Sequence, residues 1–544
     1  MVAVKEVGDL HFHVNDVPHI SSIILFGFQQ MMVCISALLI TPYLVSNMLC
    51  AGAQTIAIRV QLIAATFVTS GVATILQTTF GMRLSILHGP SFAFLPALKT
   101  FQDTYPCNAD TDPNEWKEKM QLISGSLFIA VLLMPLLGLT GLIGKVSRFI
   151  GPITIVPILT LLCIGTIPNI EEKVSQHWIS GIELSLLIGF IVLFEEVEVP
   201  IPAYSFDDKK FKFIKVRVFG QFPYLLGIVI AWFICWILTI SNLEPIGSPA
   251  RTDHNESLHV FHNTPWVQIP LPLTFGFPKL SLQLTCGFVA SCIACMIESI
   301  GDYGMCARIS KQGTPPAAST NRAFVVEGVG SMIAALMGVG TGVTTYAENI
   351  AIMQVTKVAS RITMQTAGVL LILAGIISKF AAFLAMIPEA IIGGVLATGI
   401  SMICGVAFSN LQTVDLRLSR NLTIMGLAVI LGCTIPLHFE KSPIDIGNDT
   451  ISSVINTLFK IRMLVGGVIA FILDNITRGA TRQQRGFTSD DKNNNEIMNV
   501  DRDGYALPSM VNQAILKIPS ITKLPIVPSK QSIKQIEGLR SECK

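Results

Sequence analysis

Glu298 and Asp302 stand four residues apart in Cys295-Met-Ile-Glu-Ser-Ile-Gly-Asp-Tyr-Gly304, at the end of an apolar run. On a helix that spacing sets both carboxylates on one face. An acidic group at the centre of a membrane helix costs about 2.5–3.5 kcal/mol on insertion scales, so two on one face are expected to bind something. The expected division is that Glu298 grips a polar solute while Asp302 takes a proton or coordinates a cation such as Na+. A second polar pair, Glu348 and Asn349, lies in Thr344-Thr-Tyr-Ala-Glu-Asn-Ile-Ala-Ile-Met-Gln-Val-Thr-Lys357. This stretch is apolar enough to enter a membrane but shorter than the roughly 20 residues a helix needs to cross one. Irregular backbone at membrane depth is tolerated only around a cavity, so Glu348 and Asn349 are expected to face the solute.

A third stretch, Leu87-His-Gly-Pro-Ser-Phe-Ala-Phe-Leu-Pro96, is also short and carries two helix-breaking prolines. An extended Ser91-Phe92-Ala93 between them would leave backbone donors and acceptors in need of partners. A planar heterocycle could pair with them, with Phe92 or Phe94 stacked on its ring; core packing accounts for either ring equally well. His88 reads as a core histidine more readily than as a ligand. Gln30, in the first apolar run, is divided evenly between the site and a helix contact.

These residues need a membrane scaffold, and the composition supplies one. The chain has 544 residues, of which 51% are hydrophobic and 14% charged, against about 25% charged in soluble domains. Its net charge of +2 argues against nucleic acid as a partner. No signal-peptide pattern precedes Ser21, so the first apolar helix is expected to act as the targeting signal. Most of the 12 cysteines lie inside apolar runs and read as buried thiols, not as a metal site. Cys107, in a loop, has no obvious partner.

Apolar runs fall at 21–45, 56–78, 84–98, 121–143, 147–168, 178–196 and 219–241, and then at 282–304, 323–343, 344–356, 363–386, 388–409, 419–437 and 457–474. The expected fold is therefore an all-α polytopic membrane protein with 14 segments. They form two sets of seven, 21–241 and 282–476, with short segments third in each set. An odd number per set inverts the second repeat, and two interrupted segments at equivalent positions point to a midplane site. Basic residues such as Lys145, Arg148, Arg308, Arg361 and Arg485 gather in loops on the side of the termini, which places residues 1–20 and the 477–544 tail in the cytoplasm. The 242–281 loop is then extracellular, and Asn255 and Asn448 are candidate glycosylation acceptors. The tail is polar without clear periodicity and is expected to be mostly disordered.

The chain resembles the nucleobase–ascorbate transporter family, in its animal form, over residues 14–475. The resemblance is carried by Glu348-Asn-Ile-Ala-Ile-Met-Gln-Val-Thr-Lys357 with Val358-Ala-Ser-Arg361, by Glu298-Ser-Ile-Gly-Asp302, by Ser91-Phe-Ala-Phe94, and by Asp16-Val-Pro18 before the first helix. Two positions depart from the pattern: the signature glycine is Ala351, and the common Gln-His pair of the first segment is Gln29-Gln30. The resemblance implies a core of segments 1–4 and 8–11 moving against a gate of segments 5–7 and 12–14, in a homodimer that works as an elevator. It also implies that Glu298 and Glu348 bind substrate through their side chains, and Phe92 and Ala347 through their backbones.

Glu348 occupies a position where proline is typical of ascorbate carriers and Glu or Gln of nucleobase carriers. A carboxylate accepts well from ring N–H groups, whereas two carboxylates repel an anion. The expectation is a plasma-membrane symporter of a nucleobase such as uracil or a purine, driven by Na+ or H+ and holding no cofactor or resident metal. Sodium-dependent ascorbate transport is the alternative. A non-transporting receptor or scaffold, motivated by Ala351 and Gln30, is a second. The chain lacks a zinc-protease motif, a phosphate loop and a nucleophile elbow, so an enzyme is not expected.

Overall fold

The computed structural model describes residues 10–107, 115–205, 210–447, 449–487, 504–518, 522 and 524–534. Long apolar runs become long helices because a helix pairs its own backbone groups within the segment. In the first half these are α1 (Ile20–Met48), α2 (Thr55–Thr79), α3 (Leu95–Thr104), α4 (Glu115–Val131), α5 (Leu133–Thr140), α6 (Leu142–Val146), α7 (Pro152–Val174), α8 (Ile179–Ile188), α9 (Val218–Gln221) and α10 (Pro223–Ile240). A short helix, α11 (Asn255–Asn263), sits in the connecting loop. The second half holds α12 (Leu282–Ile309), α13 (Ala317–Met337), α14 (Ala347–Thr356), α15 (Arg361–Ile376), α16 (Ser378–Ala385), α17 (Glu389–Asn410), α18 (Ser419–Lys441), α19 (Asp449–Lys460), α20 (Arg462–Ile476) and, in the tail, α21 (Ser509–Lys517). Prolines open α7 and α10, where the missing N–H costs nothing, and Gly141 and Gly338 end α5 and α13 in the left-handed conformation.

Among the described residues, eight helices are long and apolar enough to cross a membrane, and up to ten are if two sharply bent pairs, α15–α16 and α19–α20, each count as one span. The chain is a multi-pass membrane protein. It is mostly helical but not purely so, since two antiparallel strand pairs are present. One is the hairpin of β2 (Val199–Ser205) and β3 (Lys210–Val216); the other joins β1 (His88–Pro90) to β4 (Val343–Thr345).

The helices pack in two groups. In the first, α2 lies along α15, α1 along both, and α13 against α2, α4 and α5, with α12 on α4. Backbones meet where side chains are absent: a Cβ on Gly71 would lie 2.4 Å from the carbonyl oxygen of Gly368. Small residues at helix contacts are the membrane route to close packing. In the second group α7 packs on α17, α18 and α20, and α8 on α10 and α17. Gly432 and Gly466 bring α18 against α20, beneath Leu161 of α7.

Two sequence expectations need correction. Cys107 has a partner, forming a disulfide with Cys50 just beyond α1, which ties the end of α1 to the loop after α3. The described part of the tail is docked, not disordered. Asp474, whose side chain is fully buried, pairs with Arg420 and with Arg485 at 2.8 Å each, and Gln484 carbonyl accepts from Asp415 and Asn421. These contacts hold residues 477–487 against the second group. Further on, the Gly504 carbonyl accepts from Arg361 at 2.6 Å and that of Tyr505 from Arg322 at 3.1 Å, with Tyr505, Ala506 and Leu507 buried. Those contacts hold the distal segment against the first group. Asn448 lies outside the described residues, whereas Asn255 is exposed at the start of α11.

Candidate functional site

The two short segments meet backbone to backbone. β1 pairs antiparallel with β4 in the register His88 to Thr345, Gly89 to Thr344 and Pro90 to Val343. Two flanking bonds extend the pairing: Tyr346 N–H to the Leu87 carbonyl at 2.9 Å and Ser91 N–H to the Gly342 carbonyl at 2.9 Å. The extended stretch therefore lies earlier than the expected Ser91–Ala93, which instead leads into the tight turn Phe92–Phe94. The unpaired backbone anticipated there is absorbed by this crossing and by Ser91, whose Oγ accepts from the Ala93 N–H at 3.2 Å.

Glycines make the crossing possible. A Cβ on Gly89 would sit 2.4 Å from the ring of Tyr346, and one on Gly342 would sit 2.8 Å from the ring of Phe94. Tyr346 also donates to the Pro90 carbonyl at 3.1 Å, so its ring is fixed across β1. His88 is fully buried with Nε2 3.2 Å from Thr345 Oγ1, as a packed histidine would be.

Beyond the crossing each strand runs on toward a helix, and the start of α14 faces a small cavity. Its wall includes Phe92 from the first short segment, Ala347 and Glu348 from the second, and Glu298 and Asp302 from α12. Leu159, Ile403 and Val406, from α7 and α17 of the other helix group, close the opposite side. The cavity thus lies between the two groups. Asp302 is 2% exposed and Glu348 8%, while Glu298 is half-buried. One oxygen of each α12 carboxylate, Glu298 Oε2 and Asp302 Oδ2, is buried with no hydrogen-bond partner. Such an atom forgoes a hydrogen bond at a cost of about 1–3 kcal/mol or more for a charged group. Among the described residues, no lysine or arginine lines the cavity.

Three residues expected at the site stand behind it. Asn349 is fully buried, and its Nδ2 donates to the Gln30 carbonyl at 2.8 Å and to Gln30 Oε1 at 2.7 Å. Gln30 therefore anchors α14 to α1 from outside the cavity wall, and Ser91 caps the Phe92 turn. Ala351, in place of the signature glycine, is half-buried.

Sequence reasoning passed over Glu327, in α13 and 1% exposed. It accepts from Ser299 Oγ at 2.7 Å and from the Tyr303 hydroxyl, which in turn accepts from Gln77 Nε2 at 2.8 Å. Ser299 Oγ is also 3.2 Å from Thr344 Oγ1, and Thr344 lines the cavity. Glu327 carries the same signal in the sequence as Glu298, an acid inside an apolar run.

The permease family model matches residues 21–441, most of the chain and every residue of this cavity. The chain belongs to the xanthine/uracil permease family. It is 33% identical over 543 residues to solute carrier family 23 member 2 of Rattus norvegicus, covering 96% of this chain and 83% of that protein. Nucleobase-ascorbate transporter 1 of Arabidopsis thaliana is 26% identical, covering 87% of this chain and 90% of that protein. Among solved structures, the transmembrane domain of a cyanobacterium bicarbonate transporter, BicA, aligns with a TM-score of 0.43 at 14% identity, over 81% of this chain and 97% of that one. The family membership makes this chain a membrane transporter with a small-molecule substrate, and not an enzyme.

Proposed function

We propose that this transporter is a cation-coupled symporter of a nucleobase, uracil or a purine. One observation carries the choice: three carboxylates, Glu298, Asp302 and Glu348, line the cavity and no basic side chain does. The start of α14, at the cavity, contributes about +0.5 of charge. It offsets only part of one carboxylate, and Glu348 already sits in that first turn. The remaining negative charge disfavours an anion and favours a neutral ring that offers N–H donors. Glu298 and Glu348 accept from those donors, Phe92 stacks on the ring, and the backbone of Phe92 and Ala347 meets the ring edge. Asp302, deepest of the three, holds the coupling Na+ or proton, whose positive charge balances the site when the solute is bound.

The cavity wall is shared by two helix groups, and this supports an elevator-like motion in which the group of α1, α2 and α12–α15 moves against the group of α7, α8, α10, α17, α18 and α20. On this reading the chain holds 14 segments as a 7+7 inverted repeat. The apolar outer face of α18, with Leu422, Leu427 and Ile430 exposed, suits a homodimer contact. The Cys50–Cys107 disulfide belongs in an oxidising compartment, which supports an exterior position for the end of α1, cytoplasmic termini and a plasma-membrane location. Ascorbate is the second reading, favoured by the N-terminus of α14 at the cavity.

Competitive uptake distinguishes them. Labelled uracil should accumulate, be displaced by xanthine or hypoxanthine, and depend on Na+ or on a proton gradient. Accumulation of ascorbate that no base displaces would overturn the nucleobase reading.

A further inference from the structure

A second cavity, apolar throughout, opens between the two helix groups on a face of α12 other than the one bearing its carboxylates. It is lined by Ile293 and Ile297 of α12, Leu142 of α6, and Leu464, Val468 and Phe471 of α20, among others. Its wall offers carbon and almost nothing to hydrogen-bond. Apolar cavities of this kind do not hold water, and a void forfeits the dispersion contacts of its lining. Leu142 and Val468 are each about half exposed at the mouth, so the cleft opens at the surface of the helix bundle.

The mouth is also charged at one end. Lys145 and Arg148 follow Leu142 by one to two turns and are exposed, and Arg482, from the docked stretch after α20, is exposed beside them. Arg482 donates to the Arg148 carbonyl at 3.0 Å, which fixes the two strands of this rim together. Three cations beside the mouth of a hydrocarbon-filled cleft match the two ends of one molecule, since basic pockets between membrane helices on this side select anionic head groups.

We infer that this cleft is a binding site for an anionic phospholipid of the leaflet on the side of the termini. One acyl chain enters between α12 and α20, and the phosphate rests against Lys145, Arg148 and Arg482. The site joins the helix that carries Glu298 and Asp302 to a helix of the opposite group. A chain lodged there sets the spacing across which the two groups meet. The binding itself does not depend on what the transporter carries.

The test is lipid titration of the purified, delipidated full chain by native mass spectrometry, with dioleoyl phosphatidylglycerol, dioleoyl phosphatidylcholine and cholesterol as probes. Wild-type protein should bind one phosphatidylglycerol about tenfold more tightly than phosphatidylcholine, as expected when two or more basic side chains contribute. Leu142→Trp and Val468→Trp, both at half-exposed positions that tolerate a larger side chain, should each obstruct the cleft and weaken that first binding event for both phospholipids. Changing Lys145, Arg148 and Arg482 together to Gln should leave binding intact and bring the two phospholipids to equal affinity. Tight binding that survives both tryptophan variants would overturn the cleft as the site. A phosphatidylglycerol preference that survives the triple variant would overturn the head-group assignment, and preferential binding of cholesterol would overturn the phospholipid.

Discussion

At the scale of single residues, Glu298 and Asp302 share a helix face but differ in depth, and that difference assigns their tasks. Replacing Glu298 by Gln preserves volume and removes charge, so we expect uptake to be lost while surface expression and melting temperature stay near wild type. A Glu298→Gln variant that transports normally would remove this residue from the site. Asp302, 2% exposed and with Oδ2 unpartnered, is expected to govern coupling. Asp302→Asn should still bind solute but equilibrate it without concentrating it; concentrative uptake with unchanged cation dependence would refute the role. Glu348 opens α14, and if it accepts a ring N–H, Glu348→Ala should weaken nucleobase binding by about 1.5–3 kcal/mol. That is roughly ten- to a hundredfold in Kd, measurable by isothermal titration. An unchanged Kd would exclude that contact.

At the scale of elements, the β1–β4 crossing is the part least able to absorb change. Gly89 faces the Tyr346 ring, with an added Cβ only 2.4 Å from it, and that ring is itself held by Pro90. Overpacking of this kind typically costs about 1–3 kcal/mol, and here it would also displace Glu348 through the short link from Tyr346. Gly89→Ala is therefore expected to lower both transport and thermal stability. Gly304, on α12 near the site, meets no atom within 4 Å. Gly304→Ala should be neutral or slightly stabilising, because a helix interior favours Ala over Gly by about 0.5–1 kcal/mol. Equal behaviour of the two variants in a thermal melt would show that the crossing does not carry this strain.

At the scale of the whole molecule, the two helix groups are joined by a few polar contacts. Arg59 of α2 pairs with Glu389 of α17 at 2.6 Å, beside Asn47 and Ser46 of α1 and stacked 4.0 Å above the Tyr43 ring. Lys173 of α7 approaches the same carboxylate at 3.9 Å. Because Arg59 is 5% exposed and Glu389 33%, the pair is more than a surface contact, and a charged hydrogen bond here should be worth about 1.5–3 kcal/mol. A double-mutant cycle of Arg59→Ala and Glu389→Gln, read as unfolding free energy, is expected to return coupling of that size. If the helix groups move apart during transport, the single variants should also alter the transport rate. Additive single effects would mean that the contact does not join the groups energetically.

The sequence alone determined what local chemistry dictates. Fourteen apolar runs, two of them too short, could be read because hydrocarbon demands long uninterrupted stretches and marks every exception. Glu298, Asp302 and Glu348 stood out for the same reason, since each is an expensive charge in an apolar run, and all three line one cavity. Tertiary structure decided everything that depends on partners distant in the chain. It joined His88–Pro90 to Val343–Thr345, and Cys50 to Cys107 across a separation of 57 residues. It gave Gln30, divided in the sequence between the site and a helix contact, the role of anchoring Asn349, and it gave Glu327 a relay to the cavity through Ser299 and Thr344. The tail, polar and aperiodic, gave no sign of order because its residues 504–507 are held by Gln312, Arg322 and Arg361 instead of by a core of their own. Hydrophobic periodicity records which face of an element is buried; it carries no record of which distant residue will bury it.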